Sequence, residues 1–133
     1  MNRRGEPGSD KQREREEARL VSKPLFVLHG AIKTPPMGSK ARQTAGYLLR
    51  EVQDGNLLSM PDSRPMPQIA ADCHELRIDD HDLNTKWRVI YFIDDIAILV
   101  LEVFQKKTGE TPEPVKKVCR ERRTRYLNAK QGK

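Results

Sequence analysis

Five side chains in this 133-residue sequence could work on a phosphodiester: Arg88, Lys107, Lys106, Arg77 and His74. Cleaving RNA by attack of its own 2′-hydroxyl sets three tasks. The hydroxyl must lose a proton, the charge on the phosphorus oxygens must be stabilised, and the leaving oxygen should be protonated. Arginine suits the second task, because its planar fork grips two phosphate oxygens and never loses its charge. Arg88 is the lone cation in the apolar stretch WRVIYFI; the competing reading pairs it with Glu75 or Glu102. Lys106 and Lys107 stand where an apolar strand ends, which is also an ordinary way to terminate a strand. Arg77 could hold phosphate or merely neutralise the acidic run Asp79 to Asp82. His74 titrates nearest neutrality and could move a proton, or could be a structural strand residue.

The elements that must position these groups are legible from spacing. In Trp87 to Ile93 both alternating faces carry bulk, and only Arg88 interrupts one of them, so the strand should be covered on both faces. Asp94-Asp95 reads as a two-residue turn, which sets Arg88 across from Leu101 and lets the two lysines overhang the sheet toward the acidic loop. Cys73 to Ile78 reads as the preceding strand, with Cys73 and Glu75 on one face and His74 on the other. Upstream, Pro24 to His29 reads as a first strand, and the Lys33-Thr34-Pro35-Pro36 loop delays any helix. A helix follows from Lys40 to about Gln53, with Ser39 as its N-cap and Ala41, Ala45, Leu48, Leu49 and Val52 on one stripe. Residues 56–72 read as a proline-rich connector held to the surface by Leu57, Leu58, Met60, Met66 and Ile69. Thr111-Pro112-Glu113 reads as a helix start with Thr111 as the capping hydroxyl. In that last helix Val115, Val118, Cys119, Arg122 and Tyr126 face inward, and Lys116, Lys117, Arg120, Arg123 and Arg125 face outward.

These elements predict an α+β domain over residues 24–127: a strand, a helical segment, a three-strand antiparallel meander and a C-terminal helix. Residues 1–23 hold an alternating-charge run with few large apolar groups, so they are expected to be disordered or partly helical. Residues 128–133 are expected to be a disordered tail. Charge is divided sharply: residues 54–82 hold two basic and seven acidic side chains, whereas residues 104–133 hold ten basic and three acidic. Such asymmetry suggests one surface that meets a polyanion, with Lys86, Lys116, Lys117, Arg120 and Arg123 as RNA-binding candidates. Aromatic residues make up 5% of the chain, too few for a base-stacking sheet. Cys73-His74 and Asp80-His81-Asp82 lack the spacing of a metal site, and no glycine-rich phosphate loop is present, so no metal or cofactor is expected. No membrane span or export signal is read, which points to the cytoplasm and to reduced thiols at Cys73 and Cys119.

The ordered segments ELRI, WRVIYFI and FQKKTGETP resemble the HigB-like, phage-derived branch of the RelE/ParE toxin superfamily, over about Pro24 to Leu127. That resemblance implies a toxin of a type II toxin–antitoxin pair, a ribosome-dependent mRNA endonuclease partnered by a small helix-turn-helix antitoxin. Within the superfamily it also admits a gyrase inhibitor, or a non-catalytic relic that still binds RNA. It places Arg88 at the family's strand arginine and Lys107 at the family's basic strand end, with Lys106 beside it. The chain departs from RelE where that toxin has lysines on the strand before the arginine, and where it has a C-terminal tyrosine.

Overall fold

An apolar strand with bulk on both faces needs a partner layer on each side, and the architecture supplies one. The computed structural model describes residues 22–28, 37–107 and 109–132. Its elements run β1 (Leu25–Val27), α1 (Ser39–Gln53), β2 (Ser63–Pro65), β3 (Cys73–Asp80), β4 (Thr85–Ile93), β5 (Ile98–Gln105) and α2 (Glu113–Lys130). The strands form one mixed sheet in the order β1-β5-β4-β3-β2, with β1 parallel to β5 and the remaining pairs antiparallel. This is the α+β arrangement expected from the sequence. His29 to Pro36 and residues 1–21, including most of the charged extension, lie outside the described residues. No helix among the described residues is long and apolar enough to cross a membrane.

Helix α1 covers one face of the sheet. Its stripe Ala41, Ala45, Leu48, Leu49 and Val52 is buried against Leu76, Ile78, Trp87, Val89 and Tyr91. Helix α2 covers the other, where Cys119 is buried with Cys73, Ile90, Phe92, Leu99 and Leu101. Complete burial of Leu48, Leu49 and Val52 is worth about 1.5–3 kcal/mol each. That outweighs Gly46, which costs about 1 kcal/mol in a helix interior. At the helix start Gly38, not Ser39, takes the N-cap position, with no side-chain cap. Its N–H instead donates to Asp80 Oδ2 at 2.7 Å. Asp80 also accepts from Trp87 Nε1 at 3.0 Å and from the Leu83 N–H at 3.2 Å. The Gly38 N–H, joined by the Trp87 and Leu83 donors and opposed by burial, holds its carboxyl below the usual carboxylate range.

Several expectations are corrected. The connector of residues 56–72 contains a strand, β2, which pairs Arg64 with Glu75 and Pro65 with His74. Proline is tolerated there because β2 is an edge strand. Met66 and Ile69 are buried, but Leu57 and Met60 are exposed. The β4–β5 turn is longer than two residues, since Ile93 pairs with Ile98, and Leu101 bulges out between the Tyr91–Val100 and Ile90–Glu102 pairs. Arg88 therefore lies opposite Phe104, not Leu101. The lysines do not overhang freely: the Lys106 N–H still donates to the Lys86 carbonyl at 2.8 Å. Thr111 does not cap α2, whose N-cap is Pro112 without a side-chain bond. The helix also passes Leu127 and reaches Lys130, which contacts Asp94 at 2.9 Å and Asp95 at 2.5 Å.

The two glycines around α1 should respond oppositely to alanine. Nothing lies within 4 Å of a Cβ added at Gly46, whereas one at Gly38 would meet Asp80 Oδ1 at 2.7 Å. Gly46→Ala is expected to raise unfolding stability by about 0.5–1 kcal/mol. Gly38→Ala should lower it by about 1–3 kcal/mol, as overpacking does. Denaturant midpoints of the two variants check both signs; a stabilising Gly38→Ala would refute the account of the Asp80 contact.

Candidate functional site

The apolar character of the α2-covered face stops at Ile90. Beyond it β4 carries Arg88, β3 carries Glu75 and Arg77, and β5 carries Glu102 and Phe104, all on that face by strand alternation and register. Lys106 and Lys107 follow the end of β5, and Gly109 to Pro112 form the segment that leads into α2. Between this segment and the sheet lies a cleft of about 220 Å³. Arg64, Arg77, Arg88, Lys106 and Lys107 line it, with Glu75 and Glu110 as its only carboxylates among the described residues. Phe104, Pro112 and Val115 give it an apolar side.

Glu75 is the centre of this arrangement. It is 1% exposed, so its charge must be answered locally. Its Oε1 lies 2.9 Å from Arg64 Nε, 3.5 Å from Arg77 NH1 and 3.8 Å from Arg88 Nε. Its Oε2 accepts from the Thr111 hydroxyl at 2.7 Å. Arg88 is itself 4% exposed and donates to the Trp87 carbonyl at 3.0 Å. Burial, then the neighbouring Arg77, push its guanidinium below the ordinary range, and Glu75 opposes them; it stays charged regardless.

Four of the five phosphodiester candidates, Arg88, Arg77, Lys106 and Lys107, thus meet in one cleft. His74 does not join them. It packs on the α1 side, its ring stacked on Tyr91 with centroids 5.4 Å apart and planes at 18°. Its Nδ1 is buried with no hydrogen-bond partner among the described residues. Burial lowers its pKa, offset in part by Asp72. Tyr91 meets the Ser63 hydroxyl at 2.7 Å, and Tyr126 donates to Asp94 at 2.8 Å.

The remaining cations divide. Lys86 lies 3.4 Å from Asp79 and, with Lys40, Arg77 and Arg88, borders a second depression of about 580 Å³ at the same end of the sheet. Lys117 is exposed and Lys116 half-buried on α2. Arg120 donates to the Gln68 carbonyl and to Glu113. Arg123 grips Asp72 through two bonds of 3.0 Å and lies 4.8 Å over the Phe92 ring. Arg122 donates at 2.6 Å to the carbonyl of the bulged Leu101. Arg120, Arg122 and Arg123 therefore fasten α2 to the sheet and connector as well as adding charge.

Sequence reasoning missed Arg64 and Thr111 as site residues. Arg64 sits in a proline-rich stretch with no strand periodicity. Thr111 precedes a proline as a helix cap would. The Glu75–Arg88 pairing, raised as the competing reading of Arg88, is present at 3.8 Å.

A family model described as phage-derived protein Gp49-like matches residues 36–124, more than half of the chain and every residue that lines the cleft. No curated protein matches the sequence.

The separation of His74 has a measurable consequence. Because the fold holds this imidazole below its usual 6.5, the unfolded chain takes up the proton first. Its stabilising contribution is whole above pH 6.5 and is lost as pH falls from there toward the folded value. His74→Phe keeps a ring on Tyr91 but cannot charge. Urea titrations across pH 4.5–8 should show the wild type losing more stability below about 6.5 than the variant. Parallel curves would refute the assignment.

Proposed function

From the premise that the chain belongs to the phage-derived Gp49-like family, a RelE/toxin-like family, we propose that it is the toxin of a type II toxin–antitoxin pair. In this reading it is a HigB-like, ribosome-dependent mRNA endonuclease of the cytoplasm that halts translation, masked by a helix-turn-helix antitoxin. One observation carries the reading: five cations converge on a cleft, and three of them are held by the sheet around a buried carboxylate. Preorganised positive charge in a partly dehydrated cleft is what a transferring phosphoryl group requires.

In that cleft Arg88 and Arg77 hold the non-bridging oxygens of the scissile phosphate as negative charge builds on them. Lys107 and Lys106 reach the leaving oxygen from the opposite rim and supply a proton to it. With His74 across the sheet, the 2′-hydroxyl proton passes to solvent water as the bond from the 2′-oxygen to phosphorus forms and the bond from phosphorus to the 5′-oxygen breaks. Positioning and charge stabilisation carry most of the acceleration. The ribosome presents the message, and Lys86, Lys116 and Lys117 add salt-sensitive contacts to RNA phosphates. The placement of His74 also favours a second reading, an RNA-binding member of the family that no longer cleaves.

Induced expression in a bacterial host should stop growth, with translation falling before DNA synthesis. Purified protein with programmed ribosomes should cut the message. Lys107→Ala and Arg88→Lys should each slow that cutting by about 10²–10³-fold, since the first removes a charge and the second the two-pronged fork. Both variants should still bind RNA. Ribosomes bound with intact message would favour the non-cleaving reading, and replication failing first would overturn both.

A further inference from the structure

A carboxylate inside a phosphate-binding cleft repels its own ligand, so Glu75 calls for an explanation. It is not poised as a proton acceptor. A carboxylate has about four lone-pair sites, and Arg64, Arg77, Arg88 and Thr111 already surround this one. Those four partners come from three strands and from the segment that carries the lysines. Without the carboxylate, three guanidiniums on long side chains would repel one another and spread.

We propose that Glu75 is a positioning residue that trades affinity for rate. Its Oε1 draws Arg64, Arg77 and Arg88 into one anion cradle. Its Oε2, through the Thr111 hydroxyl, pins the segment bearing Lys106 and Lys107 against that cradle. The proposal rests on the RNA-cleaving reading above. It predicts a split: removing the negative charge should let RNA bind at least as well while cleavage slows.

The test uses the full chain, an RNA made uncleavable by 2′-deoxy substitution for binding, and single-turnover cleavage of the same message on programmed ribosomes. Glu75→Gln keeps an acceptor for Thr111 and removes the charge. Its Kd should equal or fall below that of the wild type, while cleavage slows about 10- to 100-fold with an unchanged shape of pH profile. Thr111→Val should slow cleavage about 2- to 10-fold at constant Kd, the size of one hydrogen bond, and Thr111→Ser should recover most of the rate. Three results would overturn the proposal. One is wild-type rates in both Glu75→Gln and Thr111→Val. Another is binding and rate falling together, which marks a merely structural role. The third is loss of the acidic limb of the pH profile in Glu75→Gln, which makes Glu75 the base. If Glu75→Gln does not fold, Thr111→Val decides by the same measurements. A wild type that binds RNA and cuts nothing overturns the cleavage reading and this inference with it, whereas normal cleavage by the variants overturns the inference alone.

Discussion

Burial of β4 on both faces and along both edges is the constraint from which the rest of the structure follows. Trp87, Val89 and Tyr91 demand one helix, Ile90 and Phe92 another, and β3 and β5 take up its backbone bonds. A cation on such a strand is left with little water around it, as the 4% exposure of Arg88 shows. Arg88 must therefore be answered from a neighbouring strand, and Glu75 on β3 is placed to do so. Two unit charges about 4 Å apart attract by about 4 kcal/mol at an effective dielectric near 20. Dehydrating each ion costs several kcal/mol. On these figures the attraction does not exceed the cost of dehydrating both ions, so stability alone does not account for the pair. What the pair does fix is where the guanidinium sits.

The bulge at Leu101 is the second determinant. One extra residue shifts β5 so that Phe104, rather than Leu101, faces Arg88, and the strand delivers its lysines beside the cleft. A bulge leaves backbone groups outside the ladder, and Arg122 takes the carbonyl of Leu101. The same insertion that shapes the cleft thus supplies an anchor for the helix that roofs the sheet. Arg123 on Asp72 and Lys130 on Asp94 complete that anchoring. Much of the basic character of α2 is spent on holding it down.

Periodicity made the layers legible. All five stripe residues of α1 are buried as read, and β3, β4 and β5 fall where alternation places them. What escaped is what periodicity does not encode. Three residues of β2 among prolines carry no pattern, so Arg64 was invisible. Loop length and bulging decide register, and Asp94-Asp95 suggested a shorter turn than the one that forms. Thr111 satisfies the local rule for a helix cap, yet its hydroxyl donates to Glu75, distant in sequence, because a bond to an ionised carboxylate is stronger than one between neutral groups.

The sheet also sorts chemistry by face. Period-two alternation sends Glu75 and Arg77 to one side of β3 and His74 to the other. A histidine one residue from Glu75 in sequence is thereby as far from the cleft as the sheet is thick. No side-chain rotation brings it round, because the ring is clamped on Tyr91 and the strand is paired on both edges. A proton-transfer role for His74 would require the register of β3 to slip by one residue. That slip would expose Leu76 and Ile78 and bury Arg77 in their place. The cost of undoing two fully buried aliphatic residues, about 3–6 kcal/mol together, is comparable to much of the stability of a small domain. The groups that the fold gathers in this cleft are therefore arginines, lysines and carboxylates, with the imidazole of His74 on the other face.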